Sequence, residues 1–252
     1  MRSFFAAALA AYATAAESDH WAVVVAASNG YWNYRHQADA AHVVKMLESK
    51  GFLSEQIIHM AFDDIAGNPS NPFPGQIFNQ PDGENVYDPM NIDYNGFEVN
   101  PTNFKAVMTG DSDAVNGRKV LKSDENSKIF VYLVDHGAPG IIIFPGVAMF
   151  SDELIDTFHT MNEKKMYSEM TFYLETCESG SMFLDLPSDL NIVAMTASNE
   201  SLPSYATYCN NDYKNGTRIG ACLADEFTIN FINDTLTHDT NNRTLEDQYY
   251  AV

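Results

Sequence analysis

Cys177 ends a short apolar run, Tyr173-Leu174-Glu175-Thr176-Cys177, and is followed by Glu178-Ser179-Gly180-Ser181. That layout puts a thiol at the mouth of a buried strand. A second run, Ile129 to Val134, ends in Asp135-His136-Gly137, so two strands would deliver a thiol and an imidazole at corresponding ends. The pair is the minimum for thiol acyl transfer. The imidazole takes the thiol proton, and an imidazolium beside sulfur lowers the thiol pKa, so that the nucleophile is available near working pH. The competing reading makes Cys177 one more buried structural cysteine. The His-Gly pair and the polar setting around Cys177 weigh toward the nucleophile.

The elements that must position these groups can be followed along the chain. Trp21 to Ala27 is a continuous valine-rich run of the kind buried on both faces of a sheet, closed by the turn Ser28-Asn29-Gly30. From Arg35 to Lys50, apolar residues at Ala40, Val43, Val44 and Leu47 mark one face of a helix, with Gly51 as its stop. Gln56 to Ala61 reads as the next strand, a β-α-β opening that implies a right-handed parallel crossover. Residues 67 to 100 lack periodicity and carry Pro69, Pro72, Pro74, Pro81 and Pro89, a long excursion of the kind that carries function or covers a site unless it is disordered. A short helix over 102–110, a polar connection over 112–127 and a strand over Lys128–Val134 follow. Ile141–Phe144 reads as a short strand, Asp152–Met166 as a helix, Thr171–Thr176 and Asn191–Ala197 as strands, and Leu223–Ile232 as a closing helix. Alternating strands and helices predict an α/β sandwich with a mostly parallel sheet. Ligands of such sheets sit beyond the carboxyl ends of the strands, where Ser28-Asn29, His136, Cys177 and Ser198 all fall.

Composition narrows the class. The chain has 252 residues, is 45% hydrophobic and carries a formal charge of −20, a surface that repels nucleic-acid phosphates. Such acidity is easier to tolerate at low pH, a pointer to an acidic compartment. Arg2, the apolar segment Phe4 to Ala11 and the small-residue site Ala13-Thr14-Ala15 read as a secretory leader over residues 1–15. No later segment approaches the ~20 apolar residues of a membrane span. Sequons at Asn199, Asn215, Asn233 and Asn242 fit the same secretory route. Three cysteines allow one disulfide and one leftover thiol; pairing of Cys209 with Cys222 would leave Cys177 free. No metal-ligand spacing is present, and neither a metal nor another cofactor is expected.

Several longer motifs carry a family resemblance. Ser28-Asn29-Gly30-Tyr31-Trp32-Asn33-Tyr34-Arg35-His36-Gln37-Ala38-Asp39, Asp63-Asp64-Ile65-Ala66, Asn71-Pro72, Pro74-Gly75, Lys119-Val120-Leu121, Asp135-His136-Gly137 and Glu175 to Met182 resemble the legumains, also called asparaginyl endopeptidases or vacuolar processing enzymes. The resemblance covers residues 20 to about 250, and the domain is assigned to 20–252. It implies a caspase-like three-layer sandwich with helices on both faces of the sheet, and cleavage of peptide bonds after asparagine. By matching position, Cys177 is the nucleophile, His136 the general base, Asn33 the residue that orients it, and Gly137 a backbone contributor to the oxyanion hole with Cys177. Arg35, His36, Glu175 and Ser204 match the specificity pocket. A primary amide needs a donor facing its oxygen and a carboxylate facing its nitrogen, and Arg35 and Glu175 supply that pair; the bland reading makes them a mutual salt bridge. Asp135 matches a residue linked to peptide-ligase side activity.

The same resemblance sets the partners and the rivals. Peptides and proteins with Asn at the cleavage site are the implied substrates and cystatin-type inhibitors the implied regulators, in a lysosome, a vacuole or the extracellular space. The family's further pocket aspartate is replaced: Ile219-Gly220 is followed by Ala221-Cys222, so the carboxylate is missing or displaced to Asp212 or Asp225, and a neighbour of the pocket serine is Pro203. A C-terminal activation peptide and helical prodomain are also implied, and the sequence stops at Ala251-Val252. The rival readings are a catalytic subunit of the GPI-anchor transamidase type, for which the segment after the cysteine differs, and a catalytically silent homologue that binds peptides.

Overall fold

The computed structural model describes residues 19–252, so the leader expected over residues 1–15 lies outside the described residues. The valine run forms β1 (His20–Ala26), which leads through a turn to α1 (Tyr34–Ser49) and β2 (Ile57–Ala61). The long excursion follows, then α2 (Pro101–Met108) and β3 (Lys128–Val134). Next come a meander of β4 (Gly137–Ala138), β5 (Ile141–Phe144) and β6 (Val147–Phe150), then α3 (Ser151–Glu163) and β7 (Glu169–Glu175). The chain closes with β8 (Ile192–Thr196), the short strands β9 (Ala206–Thr207), β10 (Tyr213–Lys214), β11 (Thr217–Arg218) and β12 (Ala224–Asp225), and two helices, α4 (Glu226–Thr237) and α5 (Leu245–Ala251).

The central sheet has the order β2-β1-β3-β7-β8, and all four pairings are parallel. Its register decides where the site lies. Ala26 stands opposite Val134, and Val134 opposite Glu175, so β1, β3 and β7 end level with one another. Alternation along each strand then sorts side chains into two layers. Val23, Val25, Ile129, Val131, Leu133, Phe172 and Leu174 share a core with Phe104 and Val107 of α2 and with Leu154, Phe158 and Met161 of α3. Ala22, Val24, Ala26, Phe130, Tyr132, Val134 and Tyr173 pack instead on Ala40, Val43, Val44 and Leu47 of α1 and on Phe231 and Ile232 of α4. Helices thus cover both faces of a parallel sheet, as the sequence pattern predicts.

Differences from expectation are local. The 67–100 stretch is ordered by its own polar side chains: Asn71 Nδ2 donates to the carbonyls of Ile65, Ala66 and Gln76, and the Phe78 N–H donates to the Tyr34 hydroxyl. Ile65, Ile77, Phe78 and Val86 form a third apolar cluster with Tyr34, Ala38 and Ala41 of α1 and with Ile219 and Leu223. This excursion therefore buttresses α1 and the segment before β12. The closing helix begins at Glu226 rather than Leu223 because Ala224 and Asp225 pair with Thr207 and Ala206 as a strand. The hairpin of β5 and β6 turns at Gly146, with φ at 81°.

Candidate active site

Cys177 follows β7 directly and is pinned from behind. The N–H of Glu178, a residue with φ at 47°, donates to the Leu202 carbonyl at 2.8 Å, and Ser179 and Ser198 exchange hydrogen bonds, with the Ser198 N–H to Ser179 Oγ at 3.0 Å. A side chain on Gly180 would come within 2.9 Å of the Asn199–Glu200 backbone, so only glycine lets this turn close. The thiol itself is free and partly exposed, because Cys209 and Cys222 form a disulfide with each other.

β3 delivers its end to the same place. The Asp135 N–H donates to the Glu175 carbonyl at 3.2 Å, which lays the Asp135-His136-Gly137 backbone along Thr176-Cys177. At Gly137 the approach is so close that an added Cβ would sit 2.5 Å from the Cys177 carbonyl oxygen and 2.7 Å from Thr176 Oγ1. Glycine is the residue this contact requires. Among the described residues, the Cys177 N–H donates to no acceptor.

His136 is exposed at the rim, and its orientation is set from α1. Its Nε2 lies 2.9 Å from Asn33 Oδ1, while Asn33 Nδ2 donates to the Asn29 carbonyl at 2.9 Å. The second bond fixes which end of the amide faces the ring. An acceptor at Nε2 means that the neutral imidazole carries its proton there, leaving Nδ1 as the unprotonated nitrogen. Asn33 occupies the N-cap position of α1 without making a capping bond, so its side chain serves the imidazole. Burial and, secondarily, the charge of Arg35 hold the His136 pKa below its ordinary value, which keeps the ring neutral at neutral pH. In the free protein Cys177 Sγ has the carbonyl and hydroxyl oxygens of Ser204 at 3.9 Å as its partners and makes no hydrogen bond to His136 among the described residues.

Beside this pair lies a buried polar cluster. Arg35 Nε donates to Asp225 Oδ1 at 2.8 Å, and among the described residues its two Nη groups make no hydrogen bond. His36 is 1% exposed, hydrogen-bonded through Nδ1 to Ser28 Oγ at 2.7 Å, with Asp135 Oδ1 and Asp225 Oδ2 each 3.7 Å from a ring nitrogen. Burial, then Arg35, then His136 push its pKa well below the ordinary value, so the ring is neutral and these carboxylate contacts are not ion pairs. Glu175 Oε2 accepts from the Thr228 N–H and hydroxyl, each at 2.9 Å, whereas among the described residues its buried Oε1 has no partner. Burial first, and then the charge of Asp225, raise the Glu175 pKa well above the usual carboxylate range. Burial likewise raises Asp39, Asp135 and Asp225.

The structure sets Asn33 against His136, Gly137 against Cys177 and Ser204 against the Cys177 sulfur, and gathers Arg35, His36 and Glu175 around Asp225, with one rearrangement. Arg35 and Glu175 are not each other's salt-bridge partner: the guanidinium goes to Asp225 and the glutamate to Thr228. Of the two displaced-carboxylate alternatives, Asp225 lies in the cluster, while Asp212 is engaged by Arg218 Nε at 3.0 Å and the Gly220 N–H at 2.7 Å. Asp39 and Thr228 were not assigned to the site from the sequence, whereas Ser28, placed at the strand ends, is the hydrogen-bond partner of His36. Asp39 had a signal, since it stands four residues after Arg35 on the same helix face. His36, Asp135 and His136 could in principle offer donor atoms within 4.8 Å of one another to a metal ion, but the Arg35 charge that lowers both imidazoles also opposes a cation there.

Comparison with known proteins gives a consistent result. The Peptidase C13 family profile matches residues 20–252. Legumain of Mus musculus is 45% identical over 236 residues, covering 92% of this chain and 53% of that protein. Hemoglobinase of Schistosoma mansoni is 46% identical over 240 residues, covering 95% and 54%. The vacuolar-processing enzyme delta-isozyme of Arabidopsis thaliana is 44% identical over 242 residues, covering 94% and 52%. The chain therefore spans about half the length of these curated relatives. Among solved structures, caspase-1 from Spodoptera frugiperda matches with a TM-score of 0.48 at 12% identity, covering 92% of this chain and 75% of that one.

Proposed function

The chain belongs to the Peptidase C13 family, and from that premise we propose that it is a cysteine endopeptidase that hydrolyses peptide bonds after asparagine. The observation that carries the chemistry is the imidazole of His136, held by Asn33 with Nδ1 free, on the loop packed against a free strand-end thiol. Cys177 gives its proton to Nδ1, and the thiolate attacks the carbonyl carbon of the scissile bond. The N–H groups of Gly137 and Cys177 receive the developing oxyanion. His136 then protonates the leaving amine, a thioester remains on Cys177, and water activated by His136 releases it. An amine in place of water would give peptide ligation from the same thioester, a side activity in which Asp135 takes part. The dyad closes its hydrogen bond only when substrate is present, as in many free enzymes.

Preference for asparagine is supported by the unspent groups of the cluster. Among the described residues, the two Arg35 Nη groups make no hydrogen bond and one Glu175 carboxylate oxygen has no donor. A side-chain amide offers a carbonyl to the first and an N–H to the second. His36 Nε2 lies 3.7 Å from Oδ2 of the Asp225 carboxylate that holds Arg35, and Ser204, in contact with Cys177, forms the adjoining wall. Proteins with exposed asparagines are the substrates, and cystatin-type inhibitors the regulators. The protein works in the secretory pathway, in a lysosome, a vacuole or outside the cell; the four sequon asparagines, Asn199, Asn215, Asn233 and Asn242, are all exposed, and no helix among the described residues is long and apolar enough to cross a membrane.

The test is hydrolysis of a fluorogenic Ala-Ala-Asn peptide against its Asp and Lys counterparts from pH 4 to pH 8, with Cys177→Ala as the control. Cleavage after Asn that disappears in the variant is expected. A folded wild-type chain that cleaves none of them would refute the proposal and favour the silent homologue.

A further inference from the structure

α4 begins with an exchange of partners. Asp225 is its N-cap residue, a position where an aspartate side chain ordinarily accepts an N–H of the first turn. Here it makes no capping bond. The first-turn N–H of Thr228 is taken instead by Glu175 Oε2, from the end of β7. Asp225 is thereby released to reach across to α1, where Oδ1 accepts from Arg35 Nε at 2.8 Å, and among the described residues it is the guanidinium's one hydrogen-bond partner.

Three further contacts fix the carboxylate in place. The Asp225 N–H donates to Asp39 Oδ2 at 3.1 Å, and Asp39 is itself held by Asn79 Nδ2 at 2.7 Å. Asp225 also pairs with Ala206 in the two-residue ladder of β9 and β12, and the next N–H, of Glu226, donates to the Tyr205 carbonyl. Tyr205 adjoins Ser204, which touches the Cys177 sulfur. One residue thus ties the cation of the pocket to the wall beside the nucleophile.

We propose that Asp225 is the positioning residue that sets specificity: by holding Arg35 through Nε alone, it turns both Nη groups toward the substrate side chain. A carboxylate on the Nη edge would occupy donors that a side-chain carbonyl needs; the grip through Nε leaves that edge to take the carbonyl, while Glu175 Oε1 takes the amide N–H. This deepens the Asn-directed reading and rests on it. Asp225 supplies the carboxylate that Ala221 lacks, from four residues further along the chain.

The test compares Asp225→Ala and Asp225→Asn with wild type on Ala-Ala-Asn peptides, together with the rate at which iodoacetamide alkylates Cys177. Asp225→Ala should raise KM at least about tenfold with kcat nearly unchanged, since Arg35 binds ground and transition states alike. Asp225→Asn keeps an oxygen for Nε and should recover most of that loss, and alkylation should proceed at the wild-type rate in both. An unchanged KM in Asp225→Ala overturns the proposal. So does loss of alkylation in both variants, which would mark a structural role alone. A wild-type chain without preference for Asn instead sinks the Asn-directed reading, and the proposal with it.

Discussion

His59 offers a stability test independent of the active site. It lies on β2, 3% exposed, on the face covered by α1, where Ala41 and Val44 are its neighbours. Among the described residues neither ring nitrogen closes a hydrogen bond of acceptable geometry, although the Asn91 backbone lies near enough to favour the charged form. Burial dominates and brings its pKa down from 6.5 to about 4. The unfolded chain takes up a proton at this residue below pH 6.5, whereas the folded chain does so only near pH 4. The stability the neutral ring contributes is therefore complete above pH 6.5 and is lost as pH falls toward 4. At 1.36 kcal/mol per pKa unit, that loss amounts to about 3 kcal/mol. His59→Leu, similar in volume and unable to titrate, removes this dependence. Urea denaturation of both proteins at pH 7 and pH 4, in a Cys177→Ala background that prevents self-cleavage, reads it as the change in their stability difference. Groups common to both proteins cancel in that comparison. A difference that stays constant between the two pH values would refute the argument.

Two further predictions concern the site. Asn33→Ala frees the His136 ring to take either tautomer, so kcat should fall by about tenfold to a hundredfold while iodoacetamide still labels Cys177; an unchanged kcat would remove Asn33 from the machinery. Glu175, raised by burial and by Asp225, stabilises the fold fully below the ordinary carboxylate range and loses that contribution as pH rises through its folded pKa. Glu175→Gln keeps an oxygen for Thr228, so in the Cys177→Ala background its Tm should fall less between pH 5 and pH 8 than that of the parent, and parallel Tm profiles would contradict this.

The fold was largely legible because its strong elements obey local rules. Ala22 to Ala26 and Ile129 to Val134 are apolar runs rich in β-branched or aromatic residues, and a sheet buried on both faces asks for such runs. α1 announces itself by the spacing of Ala40, Val43, Val44 and Leu47. What escaped was short or long-range. β9 and β12 are two residues each, and their pairing depends on chain segments 18 residues apart, from Thr207–Ala206 to Ala224–Asp225, rather than on any pattern within either. The meander of β4, β5 and β6 was half seen, since Ile141–Phe144 is apolar while β4 is only Gly137-Ala138.

The site is legible in a different way, because its chemistry shows where local rules are declined. Asn33 and Asp225 are both residues that a local reading assigns to helix caps, and both stand at N-cap positions without capping. Each spends its side chain on a group more than a hundred positions away in sequence, His136 in one case and Arg35 in the other. Glu175 makes the opposite trade: a strand-end residue, it takes the first-turn N–H that Asp225 leaves. Forgoing a cap costs about 1 kcal/mol of helix stability, a cost a sequence without function at these positions has no reason to bear. Motif reading could find Asn33 and Glu175 because they lie beside Arg35 and Cys177. It could not choose between Asp212 and Asp225, because that choice is made by β12 pairing with β9, which sends the Asp225 carboxylate toward α1 and leaves Asp212 with Arg218.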